Sequence, residues 1–228
     1  MTAPNRAAPA PERTARLHRR IRWIVGITIG YNIVEAAVSI AAGAAASSAA
    51  LIGFGLDSLV EVLSAAAVAW QFSRAEPEKY EKGTLRVIAF AFFALAAYVS
   101  ASAVLSLIGA VEPLHSPLGI VITAVSVVVM PVLSWVERRT GRELGSATAV
   151  ADSKQTLLCT YLSAAVLLGL LLNATLGWGW VDPIAALVIA GFAVREGIEA
   201  LRGDTCATPL GMLLEDGAHD EGRQHREP

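Results

Sequence analysis

Two carboxylates stand near the middle of a long apolar segment of this sequence. Asp57 and Glu61 lie four residues apart in the run FGLDSLVEVLS, so on a helix they share one face. An Asp at the centre of a membrane-spanning helix costs about 2.5–3.5 kcal/mol on insertion. Intramembrane acids face a bundle interior or a wet cavity and mark ion pathways. The pair therefore indicates a cation site; the alternative is a structural pair that is hydrogen-bonded to other helices.

A second pair with the same spacing occurs in a later apolar segment. Gln155 and Cys159 repeat the four-residue interval in ADSKQTLLCTYLS, and Asp152 lies on the same helical face. Two antiparallel helices that carry such pairs at equal depth can bring four ligand atoms to one point. A ligand set with a thiolate favours Zn²⁺ over Mg²⁺ or Ca²⁺. Taken singly, Cys159 is also typical of a small buried apolar residue, and Gln155 of a helix–helix hydrogen bond.

The first apolar segment carries a polar stripe. Thr28, Asn32, Glu35 and Ser39 stand at positions i, i+4, i+7 and i+11, so they line one side of a helix. Packing against other helices through hydrogen bonds would explain this stripe. The alternative is a cavity wall, in which Glu35 and Asn32 serve a proton pathway or an accessory cation site. Asp152 is a further candidate for that accessory role.

The elements that must position these residues are membrane helices. Hydrophobic residues make up 54% of the 228 residues and charged residues 17%, whereas soluble domains carry about 25% charged residues. The mean hydropathy is +0.54. A helix needs about 20 mostly apolar residues to cross the hydrocarbon core. We predict an all-α integral membrane protein with six transmembrane helices, at residues 23–42, 49–72, 85–111, 118–136, 147–172 and 180–194.

The cations indicate how these spans are oriented. Of the 18 Lys and Arg residues, 16 fall before span one, between spans two and three, between spans four and five, or after span six, and Arg86 stands at the start of span three on the same side. The other loops, AGAAASS, EPLHSP and LGWGW, contain none. By the positive-inside rule both termini are cytosolic. The remaining cation, Lys154, lies in span five and is expected to reach the cytosolic surface with its ammonium group.

Three regions follow from these boundaries. Residues 1–21 are a cytosolic tail, residues 22–201 a six-helix transport domain, and residues 202–228 a flexible cytosolic tail. We expect no cleaved signal peptide and no folded domain after the sixth span. We also expect no bound cofactor and no nucleic-acid partner. Asp182, next to Pro183, is expected to cap the N-terminus of the sixth helix.

Taken together, these features resemble the cation diffusion facilitator family. That family's pattern is six spans, both termini in the cytosol, an acidic pair on the second span and a ligand pair at the same spacing on the fifth. The segment ALIGFGLDSLVEVLSA is similar to the family's second span, and ADSKQTLLCTYLSAAVLLGLLLNATLGWGWVDPIAALVIA to its fifth and sixth. The resemblance, over residues 22–201, is to a short divergent branch without the folded C-terminal cytosolic domain.

The resemblance implies a multi-pass protein of the cell membrane that exports divalent metals, chiefly zinc, from the cytosol in exchange for protons. Its partners would be divalent cations, protons, the lipid bilayer and a second copy joined through transmembrane helices. Zn²⁺ would be the transported substrate. The family's ligand positions fall on Asp57 and Glu61 of span two and on Gln155 and Cys159 of span five. The family commonly has His or Asp at the position of Gln155 and usually Asp at the position of Cys159.

The acidic pair also suggests how metal and protons could be coupled. Two clustered carboxylates repel each other when both are ionised, so they can hold a proton without metal and release it when metal binds. Three other functions stay open. The neutral Gln155 is compatible with a membrane metal sensor or scaffold that does not transport. Asp57 and Asp152 could be the two catalytic acids of an intramembrane aspartyl protease, although GFGLD differs by one residue in spacing from the Gly-x-Gly-Asp motif of such enzymes. Glu35 could instead serve a small proton-coupled drug exporter.

Overall fold

The computed structural model describes residues 11–72, 78–144 and 147–202. Within these ranges the chain forms six α-helices and no strand. The helices are α1 (Pro11–Ala46), α2 (Ala49–Phe72), α3 (Glu78–Leu107), α4 (Pro117–Leu144), α5 (Ala147–Leu176) and α6 (Val181–Arg202). This confirms the prediction of an all-α protein with six helices. Several of these helices, α1 and α4 above all, continue past the predicted span into polar sequence, because a helix keeps its own backbone hydrogen bonds outside the hydrocarbon core.

Local capping residues explain several of the boundaries. Ser48 precedes α2, and its hydroxyl accepts a hydrogen bond from the Leu51 backbone N–H at 3.1 Å. Ser116 precedes α4 in the same way and accepts from Gly119 at 3.1 Å. Pro117 then occupies the first helical position, where a missing N–H costs nothing. At the other end of α5, Gly177 adopts a φ of +69°, the left-handed conformation that terminates many helices.

Five of the six helices, all but α6, are long and apolar enough to cross a membrane. Helix α6 is the shortest, with 22 residues, and its last two turns carry Arg195, Glu196, Glu199 and Arg202. Its apolar part is therefore close to the short segment predicted from the sequence.

The helices pack as a four-helix ring with a pair attached to it. Helices α1, α2, α5 and α4 each contact the next in that order, and α4 also packs on α1 to close the ring. Helices α3 and α6 pack against each other and contact α2. The ring is the part of the fold that holds the candidate site.

Two interiors of different chemistry result from this packing. Between α2, α3 and α6 the interior is apolar, with buried Leu51, Phe54, Val99 and Ile189. Inside the ring the buried side chains are largely polar or charged: Thr28, Asn32, Glu35, Ser58, Ser126, Glu137, Thr156 and Ser163. Polar side chains are costly within a membrane and mark functional pathways there, so the ring interior is where function is expected.

Close approach between α1 and α2 draws the ring together. A Cβ atom added to Gly43 would lie 2.7 Å from the backbone nitrogen of Ile52, and one added to Gly55 would lie 2.9 Å from that of Ile40. Small residues at such points allow two membrane helices to pack backbone against backbone. Any larger residue at either position would push α1 away from α2.

The outer ends of the helices are joined by hydrogen bonds. The carboxylate of Asp182 accepts from the Ser48 hydroxyl and, at 3.3 Å, from the backbone N–H of Ala50. Asp182 therefore helps to cap the N-terminus of α2, whereas the sequence predicted that it caps its own helix, α6. The physical reason is that the start of α2 lies against the start of α6 in the folded chain. The Leu114 N–H also donates to the Ala46 carbonyl at 2.7 Å and ties the α3–α4 loop to the end of α1.

Candidate metal centre

Three of the predicted ligands converge inside the ring. Asp57 and Glu61 lie one turn apart on α2, and Cys159 faces them from α5. Each of the three offers one ligand atom, and these atoms all lie within 4.8 Å of one another. Cys159 is only 7% exposed, so its thiol faces the bundle and not the lipid. Two carboxylates and a thiol at this separation can be drawn onto one ion with small side-chain movements, since Zn–ligand bonds are about 2.0–2.3 Å long.

The remaining predicted positions on α5 lie outside the described side chains. Gln155 stands one turn before Cys159 on the backbone of α5, and Asp152 and Lys154 precede it. The side chains of these three residues are not among those that the structure describes. Gln155 as fourth ligand and Asp152 as accessory group therefore stay predictions.

Glu61 is the most constrained of the three converging groups. The Cys159 thiol donates a hydrogen bond to Glu61 Oε1 at 2.7 Å. The Asn32 side-chain amide donates to Glu61 Oε2 at 2.8 Å. Both carboxylate oxygens thus accept from a neighbour, and helices α1, α2 and α5 meet at this one side chain. In this arrangement the sulfur carries its proton, which it must release to bind a metal as thiolate.

Glu35 forms a second polar centre, one turn further along α1. The Ser58 hydroxyl of α2 donates to Glu35 Oε2 at 2.7 Å, and the Ser126 hydroxyl of α4 donates to Glu35 Oε1. The Tyr31 hydroxyl lies 2.7 Å from Ser126 Oγ. Glu35 is fully buried. The polar stripe of α1 therefore faces the ring interior, and its hydroxyl partners could pass a proton.

A further buried carboxylate, that of Glu137, was not predicted from the sequence. Its two oxygens accept from the Thr28 hydroxyl of α1 at 3.2 Å and from the Thr156 hydroxyl of α5 at 3.0 Å. The predicted fourth span ended at residue 136, and the following Arg138 and Arg139 made Glu137 look like part of a cytosolic loop. Instead α4 continues to Leu144 and keeps Glu137 inside the bundle.

A signal for Glu137 was present in the sequence. The residues at spacings of three, four, four and three from Thr123 form one helical face, and all of them are buried: Thr123, Ser126, Met130, Ser134 and Glu137. The first span carries a stripe with similar spacing, and this pattern in the fourth helix indicates that the helix extends as far as Glu137.

Comparison with known proteins identifies the family of this chain. The profile of the cation efflux transmembrane domain matches residues 25–204. The chain belongs to the cation efflux family. Members of this family are cation transporters of the membrane, and the fold described here, with its polar ring interior, is that of a multi-pass membrane protein. The family predicted from the acidic and ligand pairs is thereby confirmed.

Two curated proteins are similar to the chain. An uncharacterised transporter of Synechocystis sp. is 27% identical over 199 residues, which cover 83% of this chain and 63% of that protein. The cation-efflux pump FieF of Shewanella oneidensis is 28% identical over 165 residues, which cover 69% of this chain and 55% of that protein. The chain thus spans less than two thirds of the length of either relative.

Proposed function

We propose that this protein moves divalent metal ions across the membrane, with zinc as its main substrate, and that protons move in the opposite direction. The observation that carries the proposal is the convergence of Asp57, Glu61 and Cys159 inside the helix ring of a cation efflux family member. Residues 22–201 would form the transport domain, and the cell membrane would be its location.

The ligand chemistry supports zinc as the substrate. Two carboxylates and one thiolate would bring three negative charges to a divalent cation, and Gln155 would add a neutral oxygen as fourth ligand. A thiolate favours Zn²⁺ and Cd²⁺ over hard ions such as Mg²⁺ and Ca²⁺, and four ligands suit the tetrahedral preference of Zn²⁺. A bare ion cannot cross hydrocarbon, so ligands in the helix ring must replace its water.

Proton coupling follows from the same groups. The Cys159 thiol donates a hydrogen bond to Glu61. A metal that binds the sulfur must therefore displace the thiol proton. Glu35, with its chain of hydroxyl partners, lies next along α1 and would exchange protons with the site. Asp152 would serve the same pathway from α5. Rocking of the ring between inward and outward openings would then exchange metal for protons.

Transport by purified protein in liposomes tests the proposal. Uptake of Zn²⁺, Cd²⁺, Mn²⁺ and Co²⁺ would be measured with and without a pH gradient for wild type and for Asp57→Ala. We expect zinc uptake that the gradient accelerates and that Asp57→Ala abolishes, because the variant loses a charged ligand that Gln155 cannot replace. Glu112→Ala, which removes an exposed acid from the α3–α4 loop, is the matched control and should transport normally.

Two outcomes would contradict this assignment. Full zinc flux in Asp57→Ala would refute the transport site itself. Metal binding without flux in wild type would instead favour a membrane sensor that holds metal and does not move it.

A further inference from the structure

Asn32 brings a third helix to the metal centre. Its side-chain amide donates to Glu61 Oε2 at 2.8 Å, so α1 touches a group that α2 and α5 already share. Asn32 is 5% exposed and sits on the polar stripe of α1, between Thr28 and Glu35. The hydrogen bond uses only the nitrogen of the amide.

The oxygen atom of the Asn32 amide has no evident structural role. Asn32 Oδ1 is buried and has no hydrogen-bond partner among the residues that the structure describes. Buried polar atoms in proteins are nearly always satisfied, and each exception calls for an explanation. The nitrogen of the same planar amide is fixed on Glu61, so Oδ1 is held beside the carboxylate that Cys159 also contacts. An amide oxygen is a ligand that divalent cations accept.

We propose that Asn32 is a metal ligand of this centre and binds the cation through Oδ1. This inference rests on the proposed function, because it requires that a metal binds at Asp57, Glu61 and Cys159. The centre would then have four protein ligands from three helices without any contribution from Gln155. It would also couple the position of α1 to metal occupancy.

The ligand type predicts an effect on selectivity. Oxygen ligands favour harder cations such as Mn²⁺, and the thiolate favours softer ones such as Cd²⁺. Removal of the amide oxygen should therefore weaken Mn²⁺ binding more than Cd²⁺ binding. A residue that only positions Glu61 would weaken both ions to a similar degree.

The test uses the full chain in detergent, with CoCl₂ as spectroscopic probe and with Cd²⁺ and Mn²⁺ as competitors. Asn32→Leu removes both polar atoms, and Asn32→Asp keeps an oxygen at the same place but loses the donor to Glu61. Ser39→Ala is the matched control, because Ser39 is another buried residue of the same stripe whose hydroxyl lacks a partner among the described residues. The absorption of bound Co²⁺ reports its ligands, and its sulfur charge-transfer band reports the bond to Cys159.

We expect Asn32→Leu to lose about tenfold or more in Mn²⁺ affinity, at least as much as the loss of a residue that only orients a ligand, and less in Cd²⁺ affinity. Its sulfur band should remain, while its ligand-field bands shift. Asn32→Asp should keep Mn²⁺ binding and shift the ligand-field bands, because a carboxylate oxygen replaces the amide oxygen. Ser39→Ala should match wild type.

The inference is overturned if the ligand-field bands of both Asn32 variants match those of wild type. It is also overturned if Asn32→Asp loses as much Mn²⁺ affinity as Asn32→Leu, since the amide would then act only as a donor to Glu61. Asn32→Asp preserves size and shape, so it decides the question should Asn32→Leu fail to fold: ligand-field bands that match wild type, or a loss of about tenfold or more in Mn²⁺ affinity, would then overturn the inference. A failure of the proposed function gives a different result. If no metal binds at Asp57, Glu61 and Cys159, the Co²⁺ spectrum of Cys159→Ser should be the same as that of wild type.

Discussion

The buried cluster around Glu137 should contribute measurably to stability, and its two threonines should contribute unequally. Thr156→Val and Thr28→Val each remove a hydroxyl that donates to Glu137 and keep the side-chain shape. Hydrogen bonds between membrane helices contribute about 0.6 kcal/mol on average and at most about 1.7, and a hydrogen bond between buried groups is strengthened by the low dielectric around it. The O–O distances are 3.0 Å for Thr156 and 3.2 Å for Thr28. We therefore expect losses of about 1.5 kcal/mol for Thr156→Val and about 1 kcal/mol for Thr28→Val.

A double-mutant cycle with Glu137→Ala makes this prediction specific. The free energy of unfolding would be measured by titrating detergent-solubilised protein with a denaturing detergent while following helix content. In the Glu137→Ala background both valine substitutions should cost less than about 0.5 kcal/mol, because their acceptor is gone. Thr175→Val is the control, since Thr175 is exposed on α5 and donates only to its own helix at Leu171. Equal costs of Thr156→Val in both backgrounds would refute the hydrogen-bonded cluster.

Three further predictions concern transport and assembly. Cys159→Asp should keep transport and shift preference from zinc and cadmium toward manganese, since carboxylate favours hard cations; an unchanged preference in ion-competition flux assays would show that the thiol does not bind the ion. Metal affinity should fall as pH is lowered, because protons compete with metal for Asp57, Glu61 and Cys159; titration calorimetry at two pH values measures this, and a pH-independent affinity would contradict it. Dimers are expected to form through α3, where Tyr98 is 49% exposed; a Tyr98→Cys variant should cross-link between copies, and cross-links obtained only from another helix would show that the interface lies elsewhere.

Much of the helical framework was readable from the sequence alone. The length of each apolar segment and the spacing of Asp57 and Glu61 act within one helix. Such local properties do not depend on neighbours, so six helices and the shared face of each residue pair could be predicted. The pairs on α2 and α5, read in this way, also led to the correct family.

The meeting of the α2 and α5 pairs was expected from the sequence, but only the tertiary structure decided which other faces meet. Asn32 could have packed against any helix, and the fold brings its amide to Glu61. Glu137 lay beyond the predicted span, and the contact of α4 with α1 and α5 buries it. Asp182 lies in the first turn of α6, and the packing of α6 against α2 gives its carboxylate to the start of α2. These contacts join residues far apart in the chain, and they depend on helix order, crossing and depth, which no local spacing of residues specifies.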